Sequence, residues 1–440
     1  MLIIAYGVTS ILLVIGLVLG FRLWQGKKNQ VVINNPAFVN FQQKYFRVYF
    51  LALLAEWLQG PYLYKLYHDY GFVDPFIGII YVCGFVSSIV FGTYTGILTD
   101  RLGRKKVCVL FTILYSICCF TKLSHNFFVL CLGRVLGGVS TSLLFSAFDS
   151  WYMFEHTQAY QFPTEWMDVT FSKATFYNSV IAITAGFIAN LLSEWLQFGP
   201  VAPFLFAIPF LVVAGALIQV TWSENHGRSG QACKGCFEGL RLIVMNRGIF
   251  LIGAVQAMFE SVMYIFVFLW TPVLLPAEPP LGVVFASFMC SIWIGGSLFE
   301  HLVARKYKMT TIVCFVVYGV MFANGGAAFA SANHPRTSYL LFLVIELLCG
   351  IYFPAMGYLR TKVLPAAHHA VIMNWFRVPL NVIASIVLLV LHDSHSPHGI
   401  TQMFTLCACL LMVGGLFATL LKFTVNDNEM NANTETEELA

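Results

Sequence analysis

Apolar residues in this chain fall into thirteen long stretches, set apart by short segments that hold most of its charges. By position the stretches are 1–24, 45–67, 76–98, 107–124, 127–150, 171–193, 200–222, 248–275, 281–303, 309–331, 337–360, 370–393 and 398–424. A hydrocarbon core about 30 Å thick takes about 20 residues of helix to cross, and each stretch approaches or exceeds that length. None shows the apolar–polar alternation of a lipid-facing strand, which excludes a transmembrane β-barrel. The expected fold class is an all-α polytopic membrane protein, because in lipid a helix satisfies its own backbone.

Composition and charge sharpen that picture. Of 440 residues, 58% are hydrophobic and 10% charged, against about 25% charged in a soluble domain. With thirteen spans, twenty of the 25 Lys and Arg fall on the side that holds the C-terminus and three on the other. The positive-inside rule then places the C-terminus in the cytosol and Met1 outside. One missed span would invert every later loop, so the asymmetry also supports the count. Stretch 1–24 has its basic residues after the apolar run, which reads as an uncleaved anchor rather than a signal peptide. A cytosolic linker, 25–44, follows it. The polar segment 223–247 divides the other twelve spans, numbered 1 to 12 below, into halves at 45–222 and 248–424. The acidic tail, 425–440, is expected to be disordered. The bilayer is the partner that composition implies; no basic tract suggests nucleic acid.

Between spans 2 and 3 stands Gly96-Ile97-Leu98-Thr99-Asp100-Arg101-Leu102-Gly103-Arg104-Lys105-Lys106. Gly96 allows close helix approach and Gly103 a tight turn. Asp100 can face a helix N-terminus, and the basic residues keep the loop cytosolic. The spacing resembles the loop signature of the major facilitator superfamily, G-x-L-x-D-R-x-G-R-[KR]. In span 4, Arg134 with Gly137 and Gly138 resembles that superfamily's R-x-x-x-G pattern. The resemblance implies a major facilitator fold, with two six-helix halves working by alternating access, plus one extra N-terminal transmembrane helix. Residues 49–67, 133–152, 260–274, 349–354 and 374–380 are similar to a vertebrate branch of the superfamily that has such an extra span. That likeness, which runs from about residue 5 to 425, implies uptake of a small inorganic oxyanion, molybdate, across the plasma membrane.

Charges inside spans need a reason, since each costs at least ~2.5–3.5 kcal/mol near the bilayer centre. Glu56, Arg134, Glu260 and Glu346 lie in spans 1, 4, 7 and 10, which the superfamily resemblance places around a central cavity. A divalent tetrahedral oxyanion accepts hydrogen bonds from guanidinium, hydroxyl, amide and indole groups. Arg134 and Arg377 are therefore the candidate cations of an anion path, with Asn374, Trp375, Trp57, Tyr62 and Tyr64 as candidate lining donors. The competing assignment makes each arginine a structural bridge or gate, Arg134 pairing with Glu56 or Glu346. Glu56, Glu260 and Glu346 are candidates for proton coupling or for counter-ions. Asp149, Lys173, Glu300 and Arg360 lie near span ends, where long side chains can snorkel, and carry less weight.

Other signals carry little. Cys233-Lys-Gly-Cys236 is a lone pair with no second ligand set, and no G-x-x-x-x-G-K-[ST] loop occurs, so no metal, cofactor or enzymatic activity is expected. Pro61, Pro272, Pro354 and Pro379 are expected to kink or loosen their helices. Two readings stand beside molybdate transport: a transporter of another anion or an organic solute, and a non-transporting receptor or scaffold with the same fold.

Overall fold

The computed structural model describes residues 1–27, 35–226, 232–330, 334–365, 368–390 and 397–438. Among them the chain is helical throughout, beginning with α1 (Leu2–Lys27), α2 (Pro36–Gln59), α3 (Leu63–Asp69), α4 (Asp74–Leu102) and α5 (Arg104–Thr121). It continues through α6 (Phe127–Phe154), α7 (Glu165–Asn190), α8 (Ala202–Thr221), α9 (Ala232–Met245) and α10 (Arg247–Leu274). The last five are α11 (Leu281–Ala304), α12 (Met309–Ala330), α13 (Pro335–Val363), α14 (His369–Val390) and α15 (Pro397–Glu438). Every long helix coincides with one of the thirteen apolar stretches. Eleven are long and apolar enough to cross a membrane. The other two are α2, whose first half carries Gln42, Gln43, Lys44 and Arg47, and α5, which opens on Arg104, Lys105 and Lys106. The acidic stretch from 425, expected to be disordered, continues α15 to Glu438.

Prolines act unequally. Gly60 and Pro61 separate α2 from α3, so span 1 is broken near its end. Pro272, Pro354 and Pro379 lie inside α10, α13 and α14, which run on past them. A helix interior proline removes one hydrogen bond, and neighbouring helices hold the remainder of the ladder in place. The inter-half segment, read from the sequence as a plain loop, contains the helix α9.

The chain divides into two compact units, Met1–Gly230 with Glu278–Cys290, and Gln231–Ala277 with Ser291–Ala440. In the first, α5 packs on α6 and α8, and α2 on α7 and α8. In the second, α12 packs on α13 and α15, and α10 on α14 and α15. The same pairing thus recurs six spans later, a repeat only faint in the residues themselves. Helix α1 belongs to the first unit: the Tyr6 hydroxyl accepts from Trp195 Nε1 at 3.1 Å and Asn190 Nδ2 at 3.3 Å. Its other faces leave Ile3, Ile11, Val14 and Leu17 exposed, as suits a helix surrounded by lipid.

The turn between α4 and α5 is held by acidic groups from elsewhere in the first unit. Gly103 adopts φ 98°, a backbone state open to glycine. Arg104 N donates to Asn225 O at 2.9 Å, and Glu224 Oε1 accepts from Lys105 N at 2.9 Å. Lys105 Nζ reaches Gln219 O at 2.9 Å, and Asn225 Nδ2 donates to Glu155 Oε1 at 2.9 Å. A carboxylate therefore satisfies the open N-terminus of α5, where the helix dipole favours negative charge. Arg101 and Lys106 are exposed. The surroundings of Gly96 and the side chain of Asp100 lie outside what the structure describes.

Candidate functional site

Helix α6 starts where Asn126 Oδ1 accepts from Phe128 N at 2.9 Å, which sets Arg134 two turns in. Gly133, Gly137 and Gly138 let α6 approach its neighbours closely. A Cβ on Gly137 would come within 3.2 Å of Cys118 Sγ, and one on Gly138 would run into Gly84 O and Ser87 Oγ on α4. The span-4 glycines are thus packing residues that hold Arg134 against α4 and α5. Its guanidinium carbon lies 5.2 Å from the Tyr81 ring centre, a cation–π arrangement. Gly84 leaves it room, since a Cβ there would be 2.9 Å from Nη2. Arg134 Nε is enclosed without a hydrogen-bond partner.

Glu56, on α2, accepts from Thr141 Oγ1 at 3.2 Å and faces Tyr115, while its Oε2 has no partner. Arg134 is within electrostatic range of Glu56 but makes no direct ion pair among the described residues. The aromatic donors of α2 and α3 are committed to protein acceptors. Trp57 Nε1 donates to Asn178 Oδ1 at 2.8 Å, and Tyr64 donates to Asp74. The Tyr62 hydroxyl lies 3.4 Å from Asn190 Oδ1 and accepts from Gly282 N at 3.3 Å. In this structure these three groups position helices.

In the second unit, Gln256 Nε2 donates to Glu260 Oε2 at 3.2 Å, and Arg360 Nη1 donates to Gln256 Oε1 at 3.2 Å. Arg360 Nη1 is also 3.9 Å from Glu260 Oε1. Arg360 is therefore the partner of Glu260, although its place near a span end gave it little weight in the sequence. The Gln256–Glu260 spacing of one helical turn was the visible clue. On α14, Phe376 is buried at the position where a Cβ on Gly253 of α10 would strike its ring, and Trp375 faces Gly239 of α9. Arg377 points a further 100° round and is exposed, within electrostatic range of Glu260. Asn381 Nδ2 donates to the Arg377 carbonyl at 2.8 Å. Asn374 and Trp375 are half-buried. Glu346 on α13 is 6% exposed and meets no cation or hydrogen-bond donor among the described residues.

Arg134 and Arg377 thus occupy separate units, each within electrostatic range of one intramembrane glutamate. Among the described residues, the first unit offers a half-buried cation whose guanidinium makes no hydrogen bond, and the second a half-satisfied Glu–Arg–Gln cluster with an isolated carboxyl.

Residues 4–324 match the model of a family described as sugar transporters with 12 transmembrane segments. The molybdate-anion transporter of Xenopus tropicalis is 46% identical over 447 residues, 99% of each chain. That of Danio rerio is 41% identical over 450 residues, covering 94% of this chain and 93% of its own. The quinolone resistance protein NorA of Staphylococcus aureus is 33% identical over 101 residues, 23% of this chain and 26% of its own. Among solved structures, the nucleoside transporter NupG superposes with a TM-score of 0.67 at 13% identity, covering 87% of this chain and 99% of that one; it shows a shared fold.

Proposed function

Since the chain belongs to the major facilitator superfamily, in the twelve-span family that its residues match, we propose that it carries molybdate into the cell by alternating access. The observation that carries this reading is the near-full-length identity to the molybdate-anion transporters, which extends through both halves and the extra N-terminal span. It is a multi-pass membrane transporter of the secondary type. We place it in the plasma membrane with Met1 outside and the C-terminus in the cytosol, on the strength of the twenty-to-three split of basic residues. The Gly103 turn is then cytosolic and the far ends of α5 and α10 face outward.

Arg134 is the candidate anion ligand of the first half. It is half-buried with its Nε enclosed, always charged, and lacks a direct carboxylate partner among the described residues, so its donors remain available to an oxyanion. Arg377, Asn374 and Trp375 supply potential and donors on α14. Glu56, Thr141 and Tyr115 form a polar cluster beside Arg134 that limits its excess charge. The family's description as sugar transporters favours one second reading, an organic solute.

The deciding measurement is uptake of radiolabelled molybdate by cells expressing the chain, with tungstate, sulfate and hexoses as competitors. Saturable uptake above the vector control, competed by tungstate and indifferent to hexoses, is expected. Uptake equal to the control refutes molybdate transport, and inhibition by hexoses alone favours the organic solute.

Glu346 is an intramembrane carboxyl that meets no cation among the described residues, and we assign proton coupling there. Uptake by wild type is expected to change between mildly acidic and neutral medium, and by Glu346→Gln to lose that dependence at equal surface abundance. A variant that keeps the wild-type pH profile removes Glu346 from coupling.

A further inference from the structure

We infer that Lys122 and Arg134 together form a subsite for a divalent tetrahedral oxyanion within the first unit, at the end of α5 opposite the Gly103 turn. The inference rests on the anion-transport reading and adds to it a second cation and a place. From the sequence Lys122 is an ordinary outer-loop lysine, yet in the structure it is 1% exposed. Its backbone N–H closes α5 on Cys119 O at 3.1 Å, and its side chain turns inward. Nζ donates to the Tyr67 hydroxyl at 2.8 Å. An ammonium has three donors, and the structure gives this one a single acceptor.

Arg134 is the other half of the arrangement. A Cβ on Gly133 would overlap Thr121 Oγ1, so the residues that precede Arg134 and Lys122 touch, and the two cations lie within electrostatic range of each other and of Cys118. Lys122 Nζ sits 5.2 Å from the Tyr67 ring centre and Arg134 Cζ 5.2 Å from that of Tyr81. Aromatic rings and a thiol surround the pair, where an ion bridge would need carboxylates. Glu56 is the acidic group within reach of Arg134, already accepting from Thr141 and facing Tyr115. One negative charge stands against two positive ones.

Lys122 is withdrawn from water and Arg134 partly so; each charge costs desolvation and the two repel each other, so an anion between them would stabilise the arrangement. A monoanion beside Glu56 would neutralise the pair only through a carboxylate that makes no direct bond to either cation. A tetrahedral dianion fits better. It can take the guanidinium fork on one edge and the ammonium on another. The Tyr67 hydroxyl accepts from Lys122, which leaves its own proton free to donate to the same ligand. Gly84 keeps the space beside Arg134 clear.

Equilibrium binding of radiolabelled molybdate to the purified full chain in detergent tests this, with sulfate as competitor. Lys122→Met keeps the stem and removes the charge; it is expected to raise the Kd by about tenfold or more, and Lys122→Arg to bring it back within about threefold of wild type. In cells the same loss should appear in KM, with the maximal rate at saturating molybdate largely kept. Lys65→Gln, which removes a half-buried lysine paired with Asp69, should change neither quantity. Should Lys122→Met fail to fold, Tyr67→Phe carries the test and is expected to raise the Kd about threefold or more. A folded Lys122→Met or Tyr67→Phe protein with wild-type affinity overturns the subsite while leaving molybdate transport standing. A wild-type chain that binds none of molybdate, tungstate and sulfate overturns both.

Discussion

Replacing Arg134 by glutamine is expected to abolish saturable molybdate uptake at equal surface abundance, a loss of about a hundredfold or more in the uptake rate at low substrate. Removing one partner of an enclosed, charge-assisted contact costs roughly 3 kcal/mol or more, which is that factor in affinity. Glutamine keeps hydrogen-bonding capacity but is shorter and uncharged, so the contact with the Tyr81 ring and the packing beside Gly84 are lost together with the charge. Arg134→Lys should recover only part of the rate, because an ammonium keeps the charge and lacks the planar fork. Arg377→Gln provides the contrast. That residue is exposed and shares the field of Glu260 with Arg360, so its removal should lower uptake far less. Uptake by Arg134→Gln within a few fold of wild type, with surface labelling matched, would make Arg134 a structural residue.

The second large effect is on folding. Helices α11 and α13 of the second unit touch backbone to backbone at Gly295 and Gly350. A Cβ on Gly350 would overlap the Ile292 carbonyl oxygen and come within 2.9 Å of its Cα and carbonyl carbon. One on Gly295 would overlap Leu347 O and come within 2.9 Å of Gly350 Cα. Small residues at such crossings let helices associate in lipid, where no hydrophobic force draws them together. Overpacking against flexible side chains costs about 1–3 kcal/mol, and here the obstacle is backbone, which cannot step aside. Gly350→Val is therefore expected to abolish surface expression and lower the melting temperature of any protein recovered in detergent. Gly357 is on the same helix with nothing within 4 Å of its would-be Cβ, and Gly357→Ala should be neutral or slightly stabilising. Equal expression of the two variants would refute the crossing.

Much of the fold was legible along the chain, and the reason is local. A helix in lipid satisfies its own backbone, so each span is decided by its own apolar run and needs no partner to be recognised. Helix α9 was missed although Leu240, Leu242 and Ile243 alternate with Glu238 and Arg241 at helical spacing, because a short amphipathic helix beside spans twice its length reads as loop. The Gly103 turn was legible as a motif, but the groups that anchor it were not. Glu224 and Asn225 lie more than a hundred positions away from Lys105 and Arg104, and no local pattern marks them. The donor side chains divide the same way. Tyr62, Tyr64 and Trp57 stand out in the sequence as candidate lining donors, but whether each meets a ligand or Asn190, Asp74 and Asn178 is a question of neighbouring helices.

By itself, then, the sequence determined that this is a helical membrane protein of thirteen long apolar stretches, and its loop motif and span-4 glycines resembled those of the family. The first property follows from the one-dimensional cost of placing apolar and polar groups in lipid, the second from the residues of the motif. Tertiary structure decided which charges have partners. It gave Arg360 to Glu260, left Glu346 without a cation among the described residues, turned Arg377 to an exposed face and folded Lys122 inward. Pairing depends on where distant helices cross and which way each face is turned. The glycines at Gly84, Gly138, Gly295 and Gly350 set those crossings, and their effect is visible only when both backbones are in place.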